Sequence, residues 1–250
     1  MLDGHALLLP LLDVRLPLQA HALALALPGD AGFPSWFDVG DRVERRGELL
    51  QIGHLTLAGP ATIADPAAYR PQRLIRSPDS VLRLTLLTDC LQQFARQRPV
   101  SELNCMHPWV RPLLDDCVQA LFACEPCQAP CRRIVGLGAG LTPAGDDFLC
   151  GLLAVLYAMH HPLFAELSAA ILPLIGQTTR VSQDYLLLAG DGIFSPLTCR
   201  LLQVLAEEDG RAIECSATDL LAHGSSSGMD TLAGCLAGLS ALGWASIAAK

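Results

Sequence analysis

The spacing of apolar residues changes character near residue 75. Before it, apolar and polar residues alternate in short runs. Leu16 to Leu27 alternates and is closed by Pro28-Gly-Asp-Ala-Gly32. Trp36 to Val39, Arg42 to Arg45, Leu49 to Ile52 and His54 to Leu57 follow, separated by Gly40-Asp41 and Gly47. Period-two runs bounded by glycine and proline predict a small antiparallel β-module. None of these runs carries a reactive cluster, so a supporting or interface role is expected for them.

Beyond Pro71 the period becomes helical. Ser77-Pro-Asp-Ser-Val81 leads into a helix with Val81, Leu84, Leu87, Leu91 and Phe94 on one side, ending before Pro99. From Trp109 to Phe122, Val110, Leu113, Leu114, Cys117, Val118, Leu121 and Phe122 recur at three and four, leaving Asp115 and Asp116 on a solvated face. Later helices are predicted over 146–159, from Pro162 toward Gly176, over 178–189, and from Ser195-Pro196 to Glu208. A capping box at Ser216-Ala-Thr-Asp219 predicts a short helix closed at Gly224, and a last helix starts near Met229. The fold class expected is α+β: a small N-terminal antiparallel β-module (1–75), then a mostly helical part (76–250) with a duplicated glycine-loop and helix element. One continuous domain is the alternative.

Composition narrows the class. With 51% apolar and 17% charged residues the chain can bury a sizeable core. The net charge is −8 and the 17 Lys and Arg are scattered, so a nucleic-acid surface is not expected. The start of the chain lacks a basic region, and Pro10 and Asp13 interrupt its apolar residues, so no secretory signal is expected. The apolar run from Thr231 to Ala249 is rich in Ala, Gly and Ser and has no aromatic belt, which suits a helix in a core rather than a membrane. A cytoplasmic protein is the expectation, and ten cysteines then read as thiols. Cys124-x-x-Cys127-x-x-x-Cys131 has a ligand-like spacing, but a second paired cluster is missing. Together with Cys117 these read as thiols in a loop after a helix rather than as a zinc site.

The candidate chemistry lies in Gly136-Leu-Gly-Ala-Gly-Leu-Thr-Pro-Ala-Gly-Asp-Asp-Phe-Leu-Cys-Gly151, which places five of the 21 glycines in sixteen residues. It follows a short β-type run, Ile134-Val135, and feeds a helix whose first N–H groups would suit an anion. Thr142 to Gly151 aligns without gaps on Ser225 to Gly234, giving hydroxyl-x-x-Gly-x-Asp-x-Leu-x-Gly in both copies. Two related helix N-termini could then face one ligand. Capping and close helix packing are the plain explanation for either copy alone.

Named motifs fail against the loop. Gly140 to Gly145 has P-loop spacing, but Asp146 stands where lysine is needed. Leu141 breaks the dinucleotide pattern. Gly224-Ser-Ser226-Ser-Gly228 matches a nucleophile elbow but follows a helix instead of a strand. What remains is hydroxyls and carboxylates. Asp146, Asp147 and Asp230 could hold Mg²⁺, or could meet amide N–H groups of a small substrate directly. The hydroxyls of Thr142, Ser225, Ser226 and Ser227, with the backbone at Gly138, Gly140, Gly145 and Gly228, could hold its oxygens. Thr178, Thr179 and Ser182 form a further polar segment, and Arg180 is a candidate anion partner.

Gly136-Leu-Gly-x-Gly-Leu-Thr-Pro-x-Gly-Asp-Asp-Phe-Leu-x-Gly151, Thr178-Thr-x-x-Ser182 and His223-Gly-x-Ser-Ser-Gly-x-Asp230-x-Leu-x-Gly234 together resemble the AllH-like family. The resemblance covers most of the chain and is strongest over 134–240. It implies a bacterial cytosolic subunit working beside an FdrA-like protein and another partner, with a homo-oligomer left open. The allantoin-pathway member is tied to oxamate carbamoyltransferase, so the resemblance implies carbamoyl transfer, or an allied acyl transfer, on a small anionic substrate. Asp147 and Asp230 are then the leading catalytic candidates, with Asp146 beside them. Ala144 stands where the family pattern leads one to expect serine, and the cysteine-rich segment lies outside the pattern. A paralogue acting on a different small acid therefore fits as well as the oxamate enzyme. A non-catalytic interaction subunit, its glycines serving helix packing, is the alternative.

Overall fold

The computed structural model describes residues 11–13, 22–25, 38, 40–47, 49–57, 66–97, 103–207 and 210–245. The β-rich part comprises β1 (Leu11–Asp13), β2 (Leu23–Leu25), β3 (Val43–Arg46), β4 (Leu49–Ile52) and β5 (Leu55–Leu57). β3, β4 and β5 form the expected antiparallel sheet, with Val43 opposite Ile52 and Leu50 opposite Leu57. β1 and β2 form a separate pair, and that pair is parallel rather than antiparallel. The predicted strand over 36–39 lies outside the described residues apart from Asp38.

The rest is helical, an α+β arrangement with nine α-helices among the described residues: α1 (Ser80–Arg96), α2 (Arg111–Phe122), α3 (Gln128–Ile134), α4 (Ala144–Ala158), α5 (Leu163–Ile171), α6 (Arg180–Gly190), α7 (Pro196–Glu207), α8 (Gly210–Leu221) and α9 (Ser227–Leu239). The outer helices bury one stripe each, as their periodicity requires: Leu84, Leu87 and Leu91 on α1, and Leu114, Cys117 and Leu121 on α2. α4 and α9 are apolar nearly all round and buried nearly all round, so they form the centre on which the others pack. The segment before α1 is tied to this core, with Leu74 N donating to Ala158 O at 2.8 Å and Phe194 N donating to Tyr69 O at 2.8 Å.

Three local expectations are corrected. Ile134 ends α3 and is not a strand, and Val135 is an extended residue closing that helix. The buried stripe of Cys131 and Ile134 packs α3 onto α2, where tertiary burial outweighs the β preference of two branched residues. Ser216 does not cap a helix. It lies buried inside α8, which begins at Gly210, so its resemblance to a capping box is overridden by a continuous apolar face of Ile213, Ala217, Leu220 and Leu221. The cysteine-rich segment is partly helical: Cys131 belongs to α3, and its thiol lies 3.7 Å from that of Cys117. All ten cysteines are free thiols. Hydrogen bonding to Cys117, then burial, pushes Cys131 up, and burial pushes Cys127 up to about 11. No group of three or more His, Cys, Asp or Glu among the described residues is placed to hold a metal ion.

α9 ends in a kinked turn over Ser240–Trp244, where Gly243 has φ 83° and Trp244 is fully buried. No described helix is long and apolar enough to cross a membrane.

Candidate functional site

Two helix-loop-helix units, α3 to α4 and α8 to α9, are built alike. In the first, Leu137 N donates to Ile134 O at 3.0 Å, and Gly145 N donates to Leu137 O at 2.9 Å. In the second, His223 N donates to Leu220 O at 3.0 Å, and Gly228 N donates to His223 O at 3.1 Å. The residue after each of these pivots is a glycine with positive φ, Gly138 at 126° and Gly224 at 67°, a backbone region that disfavours other side chains. A Cβ on Gly145 would strike Ile134 O, and a Cβ on Gly228 would strike Leu220 O. The echo in the sequence is therefore a structural repeat, in which the first loop is three residues longer between pivot and glycine.

The two repeats face each other across the α4–α9 contact. A Cβ on Gly151 would collide with Thr231 O and come within 3.0 Å of Cys235 N. A Cβ on Gly234 would collide with Phe148 O and come within 3.0 Å of Leu152 N. Each glycine thus packs on the counterpart of the other's contact, as in a two-fold helix pair. This brings the loops together, and Thr142 Oγ1 lies 2.7 Å from Ser227 Oγ.

Beside that hydroxyl pair is a cavity of about 310 Å³. Of the residues expected from sequence, Thr142, Asp147 and Ser227 line it. Cys150, Tyr185, Thr198 and Thr231 also line it and were not singled out, and so does His223, which was quoted only as part of the family motif. His223 occupies the pivot before the positive-φ Gly224. Tyr185 sits in an ordinary apolar helix pattern and gives no such signal.

Asp147 is the buried carboxyl of the cavity, 8% exposed, and its Oδ2 has no hydrogen-bond partner. Burial holds its pKa well above 3.8. The Ser227 and Thr142 hydroxyls oppose that rise, and the charge of Asp230 adds to it. Burial also lowers His223 below 6.5 and raises Tyr185, with Asp147 contributing to the latter. Cys150, one turn along α4, is raised by burial and by Asp147.

The other expected residues are placed elsewhere. Asp146 accepts from Gly136 N at 2.9 Å, from Ser182 Oγ at 2.7 Å and from Thr178 Oγ1. Burial raises its pKa, and these three donors oppose the rise. Asp146 therefore ties the loop to the start of α6. Thr179 caps α6, accepting from Ser182 N at 3.2 Å, and donates to Leu141 O. Arg180 is 3.8 Å from Asp184 and does not line the cavity. Asp230, the repeat counterpart of Asp147, is fully buried and accepts from Cys105 N at 2.6 Å. Ser226 stands at the N-cap of α9, and its carbonyl accepts from Asp230 N. Gly138 lies against Ala144 N, whereas a Cβ on Gly140 would meet nothing within 4 Å.

Two chemical expectations change with this geometry. The N–H groups of Gly145, Asp146 and Asp147 are already donated to Leu137 O and Pro143 O, and those of Gly228 and Asp230 to His223 O and Ser226 O. These five N–H groups of the expected anion cradle are therefore taken up by the folded backbone itself. The three aspartates do not fit a Mg²⁺ site either, because Asp146 is turned to Thr178 and Ser182 and Asp230 to Cys105 N.

Residues 134–239, which hold both loops, α4, α9 and the cavity wall between them, match the family model described as oxamate carbamoyltransferase subunit AllH. No curated protein and no solved structure matches it.

Proposed function

We propose that, as an AllH-like protein, the chain is a subunit of a carbamoyl- or acyl-transferase-type complex, and that the cavity between the 136–151 and 224–234 loops holds the small-molecule substrate. The observation that carries this reading is the convergence of the two loops, Thr142 on Ser227 at 2.7 Å, beside a cavity walled by Asp147. A buried carboxyl with one unsatisfied oxygen is costly unless a partner meets it, and a substrate N–H or a transferred proton would do so. Thr142 and Ser227 hydroxyls can hold and orient a carbonyl oxygen, and much of the remaining wall is apolar. FdrA-like and other subunits of the complex would supply the rest of the reaction.

The test is reconstitution with those subunits and assay of carbamoyl transfer. Asp147→Asn and Thr142→Val should each lower kcat at least tenfold, because each removes a group from the cavity wall. Unchanged turnover in both variants would overturn the site. Asp230 is a poorer probe than its sequence position suggests, since its substitution also releases Cys105 N.

A second reading has its own observation. Gly145, Gly151, Gly228 and Gly234 are each explained by backbone packing, which is what a non-catalytic scaffold subunit would also require. In that case no variant of the cavity wall would alter the turnover of the complex.

A further inference from the structure

The lining of the cavity holds one side chain that can become a cation. Among the described lining residues there is no lysine or arginine, and His223 is the only basic group. We propose that His223 is the counter-charge for the acid group of the substrate, and that a small carboxylate enters the cavity together with one proton from solvent, which this imidazole takes up. The proposal rests on the cavity being the small-molecule site proposed above, and it names how that site admits an anion.

The backbone fixes where the imidazole stands. His223 N donates to Leu220 O at 3.0 Å and His223 O accepts from Gly228 N at 3.1 Å, so both backbone groups are engaged inside the repeat and the side chain is what the residue can offer a ligand. No hydrogen bond or ion pair among the described residues engages the ring. Gly224, the next residue, lies against Ser227, where an added Cβ would be 3.4 Å from Oγ. The pivot therefore adjoins the Thr142–Ser227 pair, whose hydroxyls can donate to the same anion.

The titratable groups around the imidazole do not offer another cation. Asp147 and Cys150 line the cavity from α4 and Tyr185 from α6, Asp230 on α9 is turned to Cys105 N, and Asp219 of α8 is exposed. Burial lowers the pKa of the free imidazole below 6.5, so it is mostly neutral at pH 7.5. A carboxylate beside it favours the charged form and raises that pKa. Between the free and the bound pKa each anion brings a proton, so affinity falls as pH rises; below the free pKa His223 is already charged and the slope flattens. Asp147 is the rival site for the proton, because an anion beside a carboxyl also favours its protonated form.

The experiment titrates the full chain with oxamate and, as a second short carboxylate, propanoate. Calorimetry in buffers of different ionisation enthalpy counts the protons taken up per ligand. At pH 7.5 the uptake should be about one proton, and affinity should fall about tenfold from pH 7 to pH 8. His223→Gln, checked for fold by circular dichroism, should bind about tenfold more weakly at pH 7, with no uptake and no pH slope. Should it fail to fold, carbon-13 NMR of the histidines in the wild-type chain decides: one imidazole must pass from neutral to protonated as either acid is added at pH 7.5. Uptake that survives in His223→Gln and disappears in Asp147→Asn would assign the proton to Asp147 and overturn the proposal. Binding without uptake, or no binding of either acid, would overturn it too. The transferase reading fails separately, through unchanged turnover of the reconstituted complex in Asp147→Asn and Thr142→Val.

Discussion

Placing a methyl group on Gly151 tests the centre of the fold directly. An alanine Cβ there would fall on Thr231 O, a backbone atom that cannot swing aside as a flexible side chain can. α4 and α9 must then separate by roughly 1 Å, a gap that forfeits a quarter to a half of each dispersion contact across the seam. The residues beside that seam, among them Leu149, Leu152, Leu232 and Leu239, are fully buried, so about 3–4 kcal/mol of packing is at stake. Alanine returns about 1 kcal/mol through its better helix propensity. The net loss is about 2–3 kcal/mol, which in a chain of 250 residues lowers Tm by roughly 4–12 °C. Gly234→Ala should cost about the same, because it meets Phe148 O in the mirrored contact. The double variant is the sharper measurement: once the helices have parted for one methyl group the second fits at little cost, so the two losses should fall short of additive by about 1–2 kcal/mol. Gly190→Ala serves as control, since its Cβ would meet only Ser168 Cβ at 4.0 Å. Urea denaturation of wild type and the four variants settles the matter. Wild-type stability in Gly151→Ala, or strict additivity in the double variant, would refute the reciprocal packing.

Asp147 links stability to pH. Its folded-state pKa lies above 3.8, so its contribution is present below pH 3.8 and is lost as pH rises through the raised value. Asp147→Asn should therefore flatten that decline and be more stable than wild type at neutral pH, measured by urea denaturation from pH 4 to 8, while lowering turnover of the complex. Asp146→Ala should behave in the opposite way, losing about 2–4 kcal/mol in the same denaturation assay, because Gly136 N, Thr178 and Ser182 are left without their acceptor. Ser227→Ala removes one half of the inter-loop hydroxyl pair and should cost about 1 kcal/mol, measured in the same denaturation assay.

The sequence made the repeat legible because a packing contact through backbone needs glycine and a helix start needs a hydroxyl or acid, so both copies kept those letters in register. Helix stripes such as Leu84, Leu87 and Leu91 were legible for the same reason: burial imposes a period. α3 was not, because seven residues with Pro130 and two arginines give too short a stripe to register. The cavity was legible only at its loop edge. Tyr185, Ile193 and Phe194 enter it because α6 is tied to the first loop by Asp146 and Thr179, a tertiary relation that no local spacing encodes. The echo singled out Asp147 over its neighbour Asp146, but it paired Asp147 with Asp230, which does not line the cavity.

The two repeats share a backbone plan but differ in what their second aspartates do. Asp230 is closed by Cys105 N, from the segment that precedes α2, and so joins that segment to α9. Asp147 lines a cavity instead, at the end of the longer loop. The three extra residues carry Leu141 out to where it lines the cavity and accepts from Thr179, which keeps α6 in place against the loop. The symmetry of the helix pair thus supplies a rigid base, and its local breaking supplies the space. The reciprocal glycines let the loops meet, and the contact with Cys105 N, made at Asp230 and not at Asp147, distinguishes the two carboxyls.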